Sequence, residues 1–156
     1  MITNDPYFSI WSMTDRLADD ATRHWTKHKQ PLISPIRVDG KCYRLMGSEP
    51  ESVSALPQQS VEVTPTRSIY RFAGAGVKVT LTFLLPLFED DIEVLSRTAS
   101  YISWDLESAD GEPHSVEVFD SMGSEAAVNT PDQYIDWARE SYGSLTALRV
   151  GSQDRF

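Results

Sequence analysis

Length, composition and charge already exclude several classes of protein. The chain has 156 residues, of which 40% are hydrophobic and 24% charged, so it is long enough and apolar enough to fold around one buried core. Its formal net charge of −9 argues against a nucleic-acid partner, because an acidic surface repels phosphate backbones. The longest apolar run, LTFLLPLF, is shorter than the roughly 18 residues of a membrane-spanning helix, so no membrane partner is expected.

The first 25 residues are rich in aromatic side chains. NDPYFSIWS and the later TRHWT contribute Tyr7, Phe8, Trp11 and Trp25. These rings either anchor the core, which is the commoner use of such residues, or line a site for a small polar ligand. The second interpretation rests on a cation, a titratable ring and a flat apolar surface that follow one another in TRHWT. The candidate ligand-binding residues are Trp11, Arg23, His24 and Trp25.

Residues 14–25 are compatible with two structures. Thr14 is a suitable N-cap for a short helix over residues 14–22, but the Asp and Thr residues that follow are poor in helix interiors, which equally favours an irregular segment. Just beyond, His24 and His28 have the spacing of two metal ligands on one helix face. No Glu follows the first histidine and no third ligand is evident, so no metal is expected.

Beyond this N-terminal region the dominant hydrophobic period is two, which predicts strands. PIRVDGKCYRLMG places two short strands around Asp39-Gly40, a dipeptide suited to a type I′ turn. RSIYRF and GVKVTLTFLL, joined by a glycine-containing turn, predict a second hairpin. A third is expected from Tyr101 to Phe119, across the turn signal ADGE. The single cysteine, Cys42, excludes a disulfide within the chain and is expected to be a buried or half-buried strand residue.

The last quarter of the chain is ambiguous. Thr130 and Pro131 signal the start of a helix, whereas the alternation that follows, and the strand-like SLTALRVGS after Tyr142-Gly143, favour a hairpin, which we expect. Together the short strands predict a mainly β protein, an antiparallel β-sandwich with at most one short helix near the N-terminus.

The predicted organisation has two parts. Residues 1–48 form an N-terminal segment with a hairpin, and residues 49–156 form the β-sandwich domain. The last apolar strand, in TALRVGSQ, has no closing element after it, so we expect the sandwich to be incomplete at its C-terminal end. An unpaired edge of this kind also predicts self-association through an edge strand.

No motif for catalysis or for a cofactor stands out. The pairs Asp19-Asp20 and Asp90-Asp91 are adjacent in sequence, and neighbouring side chains on a strand point to opposite faces, so neither pair forms a natural two-carboxylate site. No G-x-S-x-G elbow surrounds a serine, and GAG at residues 74–76 lacks the lysine and the helix start of a phosphate loop. The sequence therefore assigns no catalytic residue and no cofactor.

The order and spacing of several motifs resemble a known family. NDPYFSIWS, TRHWT and PLISPIRVDGKCYRLMG are similar to the N-terminal part of the bacterial and fungal glutaminase A family, and SVEVFDSMGSEAAVN and LTALRVGSQ are similar to the same family's next segment. The resemblance covers nearly the whole chain. One departure is Ser34-Pro35, where a more flexible, Gly-like pair would be expected before the first hairpin.

The resemblance implies an architecture and an activity that the residues alone do not. Family members are several times longer and combine an N-terminal β-sandwich with a C-terminal helical barrel like that of the six-hairpin glycosidases. Their ascribed reaction is hydrolysis of L-glutamine to L-glutamate and ammonia, and many are exported, which implies an extracytoplasmic (periplasmic or secreted) location. This chain would supply the sandwich portion, with the helical barrel as its partner and the catalytic residues outside it.

Two functions are therefore open. The first is the non-catalytic N-terminal β-sandwich portion of a glutaminase-like amidohydrolase, inactive by itself. The second is a stand-alone β-sandwich module that binds a carbohydrate-type ligand through its Trp-rich face. A sandwich fold hosts many unrelated functions, so the fold alone does not choose between them.

Overall fold

The computed structural model describes residues 1–153 and consists mainly of antiparallel strands, which confirms the predicted mainly β fold. In chain order the strands are β1 (Ile2–Thr3), β2 (Ser9–Ile10), β3 (Leu32–Val38), β4 (Lys41–Met46), β5 (Gln58–Val63), β6 (Arg67–Gly74), β7 (Val77–Leu84), β8 (Tyr101–Ser108), β9 (Val116–Val118), β10 (Ser121–Met122), β11 (Ile135–Tyr142) and β12 (Leu145–Ser152). Two short helical elements, α1 (Ile92–Leu95) and a 3-10 helix (Ser124–Ala127), lie between strands. No helix within residues 1–153 has the length and apolarity needed to cross a membrane.

The first sheet has β3 at its centre. β4 pairs with one edge of β3, and β9 and β10 pair with the other. The turn between β3 and β4 is Asp39-Gly40, with φ of 49° and 82°, so the predicted hairpin and its positive-φ turn are confirmed. The register between β3 and β4 shifts by a bulge between Ser34 and Pro35. Proline has no backbone N–H to donate to a neighbouring strand, which is why such residues occur at bulges. The unexpected Ser-Pro pair thus interrupts the regular pairing of β3 with β4.

The second sheet has the order β5-β6-β7-β8. β6 and β7 form the second predicted hairpin around Ala75-Gly76, two residues that both have positive φ, and their register is unbroken from end to end. Strict alternation along β7 sends every second side chain inward. The buried face of this sheet consists of Tyr70, Phe72, Val77, Val79, Leu81 and Phe83.

The two sheets pack face to face around one core, as expected of a sandwich. Leu32, Ile36 and Val38 of β3 belong to the same buried cluster as the inward face of β7. The indole Nε1 of Trp104 on β8 donates a 3.0 Å hydrogen bond to Ser34 Oγ on β3, which ties one sheet to the other. β3 and β4 come from the first 48 residues, but they share their sheet with β9 and β10; the division at residues 48 and 49 stays a prediction.

Of the two structures left open for residues 14–25, the irregular segment forms, and no helix covers residues 14–22. Two backbone groups here bond to distant side chains. The N–H of buried Leu17 donates to Gln58 Oε1 at 3.0 Å. Arg44 Nη1 donates to Ala18 O at 2.9 Å. Because tertiary hydrogen bonds satisfy these groups, a segment of low helix propensity gains nothing by forming a helix.

The predicted hairpin from Tyr101 to Phe119 is also wrong, although both of its strands exist. β8 pairs with β7 in the second sheet, whereas β9 pairs with β3 in the first. The chain therefore crosses from one sheet to the other between them. β7 and β3 each have a second edge to pair, and if β9 had paired with β8 the edge of β3 would have lost that partner.

Two further expectations have different outcomes. The hairpin in the last quarter is confirmed, since β11 and β12 pair along their full length around a turn that begins at Gly143, with φ of 62°. Cys42 lies in a strand, β4, but it is exposed and not buried. Its partner across the sheet is Arg37, which faces outward, and directly paired residues share a face.

The contribution of the core can be measured at Phe83, which is fully buried on β7. We expect Phe83→Ala to lower the free energy of unfolding by about 3–5 kcal/mol, because it removes apolar contacts and leaves a cavity between the sheets. The matched control is Phe88→Ala, since 56% of Phe88 is exposed and the same deletion there opens no cavity. Urea titration of both variants measures the difference, and equal destabilisation would contradict this account of the core.

Candidate functional site

The aromatic N-terminal segment is neither wholly core nor wholly surface. Ile10 is fully buried and Phe8 packs against the core, whereas Tyr7 and Trp11 are exposed. Trp11 is held in place by its backbone, which exchanges hydrogen bonds of 2.8 and 3.0 Å with Arg23. The core interpretation is therefore correct for Phe8, while the other rings are presented to solvent.

The backbones of Arg23 and Lys29 form an isolated antiparallel β-bridge, which closes a tight loop over residues 23–29. Within it Lys27 has a φ of 72° and its N–H donates to His24 O at 2.8 Å. His24 and His28 therefore sit on a turn and not on one face of a helix, so the spacing of two helical metal ligands does not apply. Among residues 1–153 no group of three His, Cys, Asp or Glu side chains is arranged to hold a metal.

Two of the predicted ligand-binding side chains converge on one backbone oxygen. His24 Nε2 lies 2.9 Å from Pro6 O, and Trp25 Nε1 donates to the same oxygen at 2.8 Å. A carbonyl oxygen only accepts, so His24 carries its proton on Nε2 and its Nδ1 accepts from the hydroxyl of Thr26 at 2.7 Å. The two rings lie 5.4 Å apart and 44° from parallel, which fixes the indole with one surface open to solvent.

Arg23 has a partner within its own segment. Its Nη2 lies 3.1 Å from Asp20 Oδ1, and this hydrogen bond, together with one from the N–H of Ala21, holds the pKa of Asp20 below its usual value. The guanidinium is thereby engaged by Asp20. Of the two carboxylates in the Asp19-Asp20 pair, the structure thus gives Asp20 an ion-pair role.

A cleft of about 400 Å³ opens beside the loop. It is lined by Tyr7, His24, Thr26, His28, Lys29, Gln30, Glu125, Val128, Asn129, Thr130 and Pro131. His24 lines it, whereas the lining does not include Trp11, Arg23 or Trp25. The structure therefore brings His24 and Trp25 together but does not unite the four predicted ligand residues around one space.

The chemistry of the cleft suits binding of a small polar molecule better than bond cleavage. Lys29 supplies an ammonium group, Glu125 a carboxyl group, and Asn129 and Thr130 supply polar groups of both kinds. Gln30 in the lining is buried, and among the described residues its Oε1 has no hydrogen-bond partner. His24, the lining histidine with the best-defined geometry, already uses both ring nitrogens and is not free to act as a base.

A cluster that the sequence did not predict lies at one end of the sandwich. His114 Nδ1 is 2.7 Å from Asp39 Oδ2, and its Nε2 is 3.0 Å from Asp110 Oδ1. Asp39 belongs to the β3–β4 turn, and the other two residues belong to the crossover between β8 and β9. The turn of the second sheet also reaches this point, because a side chain at Gly76 would overlap the His114 ring. We call Asp39, Asp110 and His114 the inter-sheet clamp.

The electrostatics of the clamp follow from these contacts. Hydrogen bonds to the two carboxylates raise the pKa of His114. The hydrogen bond to His114 lowers the pKa of Asp39. The pKa of Asp110 is lowered to about 2, mainly by a hydrogen bond from the N–H of Glu112 and next by the one to His114. Since both ring nitrogens are bonded to carboxylates, neither is free to move a proton to or from a substrate, and we assign the clamp to the fold.

Comparison with known proteins agrees with the resemblance noted in the sequence. The profile of the family described as Domain of unknown function (DUF5127) matches residues 66–155, more than half of the chain. The chain belongs to the DUF5127 family. A second profile, Domain of unknown function (DUF4964), matches residues 1–57. This second match contains the aromatic segment and the first hairpin, whereas the DUF5127 match begins at the second hairpin.

One relative of this DUF5127 member is glutaminase A of Aspergillus oryzae. It is 30% identical over 145 residues, which make up 88% of this chain and 21% of the relative. The chain thus spans about a fifth of the length of that protein. The resemblance to the glutaminase A family is confirmed by this similarity. No solved structure matches the chain significantly.

The clamp makes stability depend on pH in a defined window. The stabilisation that comes from the raised pKa of His114 is fully present below about pH 6.5, the pKa of an unfolded histidine, and is lost as the pH rises through the folded-state pKa. The part that comes from the lowered pKa values of the two aspartates is present above about pH 4 and is lost as the pH falls towards 2. We expect the stabilisation by the clamp to be largest between these limits.

The measurement is the thermal midpoint of wild type and His114→Gln from pH 3 to pH 9. The midpoint difference should peak between about pH 4 and 6.5 and should shrink on both sides. The matched control is His28→Gln, because His28 is exposed on the loop. If the thermal midpoint of His114→Gln lies below that of wild type by the same amount at every pH, the His114 ring stabilises the fold by packing and not by its charge.

Proposed function

We propose that this chain is the non-catalytic, N-terminal β-sandwich portion of a glutaminase-like amidohydrolase. The observation that carries the proposal is the similarity to glutaminase A, which runs through 88% of this chain but accounts for 21% of that relative. In this proposal the chemistry belongs to a helical-barrel domain, the partner of the sandwich, and the protein works outside the cytoplasm. The substrate of the intact protein is then L-glutamine, which is hydrolysed to L-glutamate and ammonia.

The side chains around the cleft support a non-catalytic role. Amide hydrolysis needs an activated water or nucleophile, a proton donor for the leaving nitrogen and a stabiliser for the oxyanion. Both ring nitrogens of His24 are engaged, one with Pro6 O and the other with Thr26. Arg23 is paired with Asp20 and does not line the cleft. Neither residue is poised for the role that its chemistry would suggest.

A binding role for the exposed Trp25 is the second candidate. Its indole is 59% exposed and is locked by the bond from Nε1 to Pro6 O, which leaves a rigid, flat apolar surface in solvent. Sugar rings stack on such surfaces because their C–H faces are apolar while their edges are polar. A sandwich that binds carbohydrate through Trp25 is compatible with either a stand-alone module or a domain of a larger enzyme.

The first candidate predicts that the purified chain does not release ammonia from L-glutamine. General acid–base catalysis alone contributes roughly 10²–10⁴-fold, and His24, with both ring nitrogens already bonded, is not placed to supply it. The assay compares wild type with Arg23→Ala and His24→Ala, and all three should give the background rate. Turnover by the wild-type chain that either substitution abolishes would place the chemistry in the loop of residues 23–29 and refute the proposal.

The second candidate predicts that soluble oligosaccharides quench or shift the tryptophan fluorescence of the chain. Trp25→Ala should lose the response, because the stacking surface is removed. Trp137→Ala is the matched control, since that indole is also exposed but lies on β11, outside the aromatic segment. The carbohydrate interpretation fails if no panel member produces a saturable change, or if both variants lose the response equally.

A further inference from the structure

The chain contains two Asp-Gly pairs, and the aspartates of both belong to the inter-sheet clamp. Asp39-Gly40 forms the β3–β4 turn, and Asp110-Gly111 lies in the crossover between β8 and β9. Asp-Gly is the dipeptide most prone to rearrange to isoaspartate, because glycine has no side chain to shield its backbone nitrogen. That nitrogen can attack the carboxyl group of the aspartate before it. The two pairs therefore share one modification chemistry, and the structure distinguishes between them.

The rearrangement proceeds through a cyclic succinimide. The glycine nitrogen gives up its proton to solvent and forms a bond to the aspartate Cγ, and one carboxyl oxygen leaves as water. Water then adds to either carbonyl carbon of the ring. Opening at the main-chain carbonyl breaks the original peptide bond and leaves the chain linked through Cγ, which is isoaspartate. The water lost in the first step is regained in the second, so the mass is unchanged and no co-reactant is needed.

The attacking nitrogen is bonded in one pair and free in the other. The N–H of Gly111 donates a 2.9 Å hydrogen bond to Ser108 Oγ, which protects it from losing its proton to solvent. The N–H of Gly40 makes no hydrogen bond within residues 1–153. A side chain placed on Gly40 would meet no atom within 4 Å, so solvent reaches this turn. Gly40 therefore has the nitrogen that can react.

The two carboxyl groups also differ in what holds them. The nitrogen attacks the neutral acid, because an ionised carboxylate is a poor electrophile. His114 Nδ1 lies 2.7 Å from Asp39 Oδ2, and this bond is the largest cause of the lowered pKa of Asp39. The pKa of Asp110 is lowered mainly by the N–H of Glu112, with His114 next. Loss of His114 therefore exposes Asp39 to attack more than it exposes Asp110.

We propose that Asp39 is a site of spontaneous isoaspartate formation and that its bond to His114 restrains the reaction. One side chain, His114, and one backbone N–H, that of Ser115, hold its carboxylate. Water reaches it, since 52% of the Asp39 side chain is exposed. Asp110 is exposed to nearly the same extent, 48%, but its carboxylate and the nitrogen that follows it are both bonded within its own turn. Exposure alone does not separate the two sites.

The modification opens the clamp. Isoaspartate inserts a methylene group into the main chain between β3 and β4 and moves the carboxylate onto the Cα atom. The two-residue turn then loses its geometry, and the carboxylate loses the side-chain length with which it reaches His114 and the N–H of Ser115. Conversion at Asp39 thus couples the age of the molecule to the contact between its two sheets.

The experiment incubates the whole chain at neutral pH for several weeks and measures isoaspartate in each peptide by methylation with an isoaspartyl methyltransferase. In folded wild type, isoaspartate should accumulate at Asp39 faster than at Asp110. In urea, where neither turn is folded, both positions should convert at similar rates. His114→Ala should speed conversion at Asp39 at least about tenfold, the factor that one lost hydrogen bond to a charged group corresponds to, and should speed Asp110 less. The matched control, His28→Ala on the exposed loop, should change neither rate.

A second variant tests the distinction without changing the clamp histidine. Ser108→Ala frees the N–H of Gly111, so conversion at Asp110 should rise severalfold while conversion at Asp39 stays the same. Circular dichroism checks that each variant remains folded. If His114→Ala unfolds, the comparison of folded with unfolded wild type and the Ser108→Ala result still decide the proposal.

Two results in the wild-type chain would overturn the proposal. One is conversion at Asp110 as fast as at Asp39 in the folded chain. The other is an Asp39 that stays unmodified when folded although it converts in urea. A folded His114→Ala variant with an unchanged rate at Asp39 would show that His114 does not restrain the reaction. No gain at Asp110 in Ser108→Ala would show that bonding of the glycine nitrogen does not separate the two sites.

Discussion

The buried face of β7 is the constraint on which the rest of the structure depends. Its alternate apolar residues face β3 across the sandwich, and each of these two strands has two edges that must pair. That requirement draws β8 to one sheet and β9 to the other. The crossover between them then carries Asp110 and His114 to the β3–β4 turn, so the inter-sheet clamp is a consequence of how apolar surface is buried.

Polar side chains of the sandwich position the loop beside the cleft. Buried Thr22 accepts from the N–H of Leu32 and donates to Gln30 O, both at 2.7 Å, and this anchors the loop of residues 23–29 to the start of β3. Arg44 donates to three carbonyl oxygens from separate segments and holds the irregular stretch before the loop in place. The candidate site therefore inherits its geometry from the sheets and not from local secondary structure.

Part of the candidate site could be predicted from the sequence, and the rest depends on contacts that no local sequence pattern specifies. TRHWT indicates a surface with mixed polar and aromatic character, and His24 and Trp25 do converge on Pro6 O. The sequence could not show that Arg23 pairs with Asp20, because a turn that no periodic signal specifies sets this contact. The position of Trp11 likewise depends on its backbone pairing with Arg23, which composition does not reveal.

The sequence by itself determined the strands and the tight turns, because alternation and positive-φ turn residues act between near neighbours. Asp39-Gly40 specified one hairpin, and the glycine-containing turns before β7 and β12 specified two others. Only the tertiary structure decided the partners of β8 and β9, the irregular course of residues 14–22 and the clamp. Asp39 and His114 are 75 residues apart, and contacts over such separations form only when burial of the shared core has brought both sheets together.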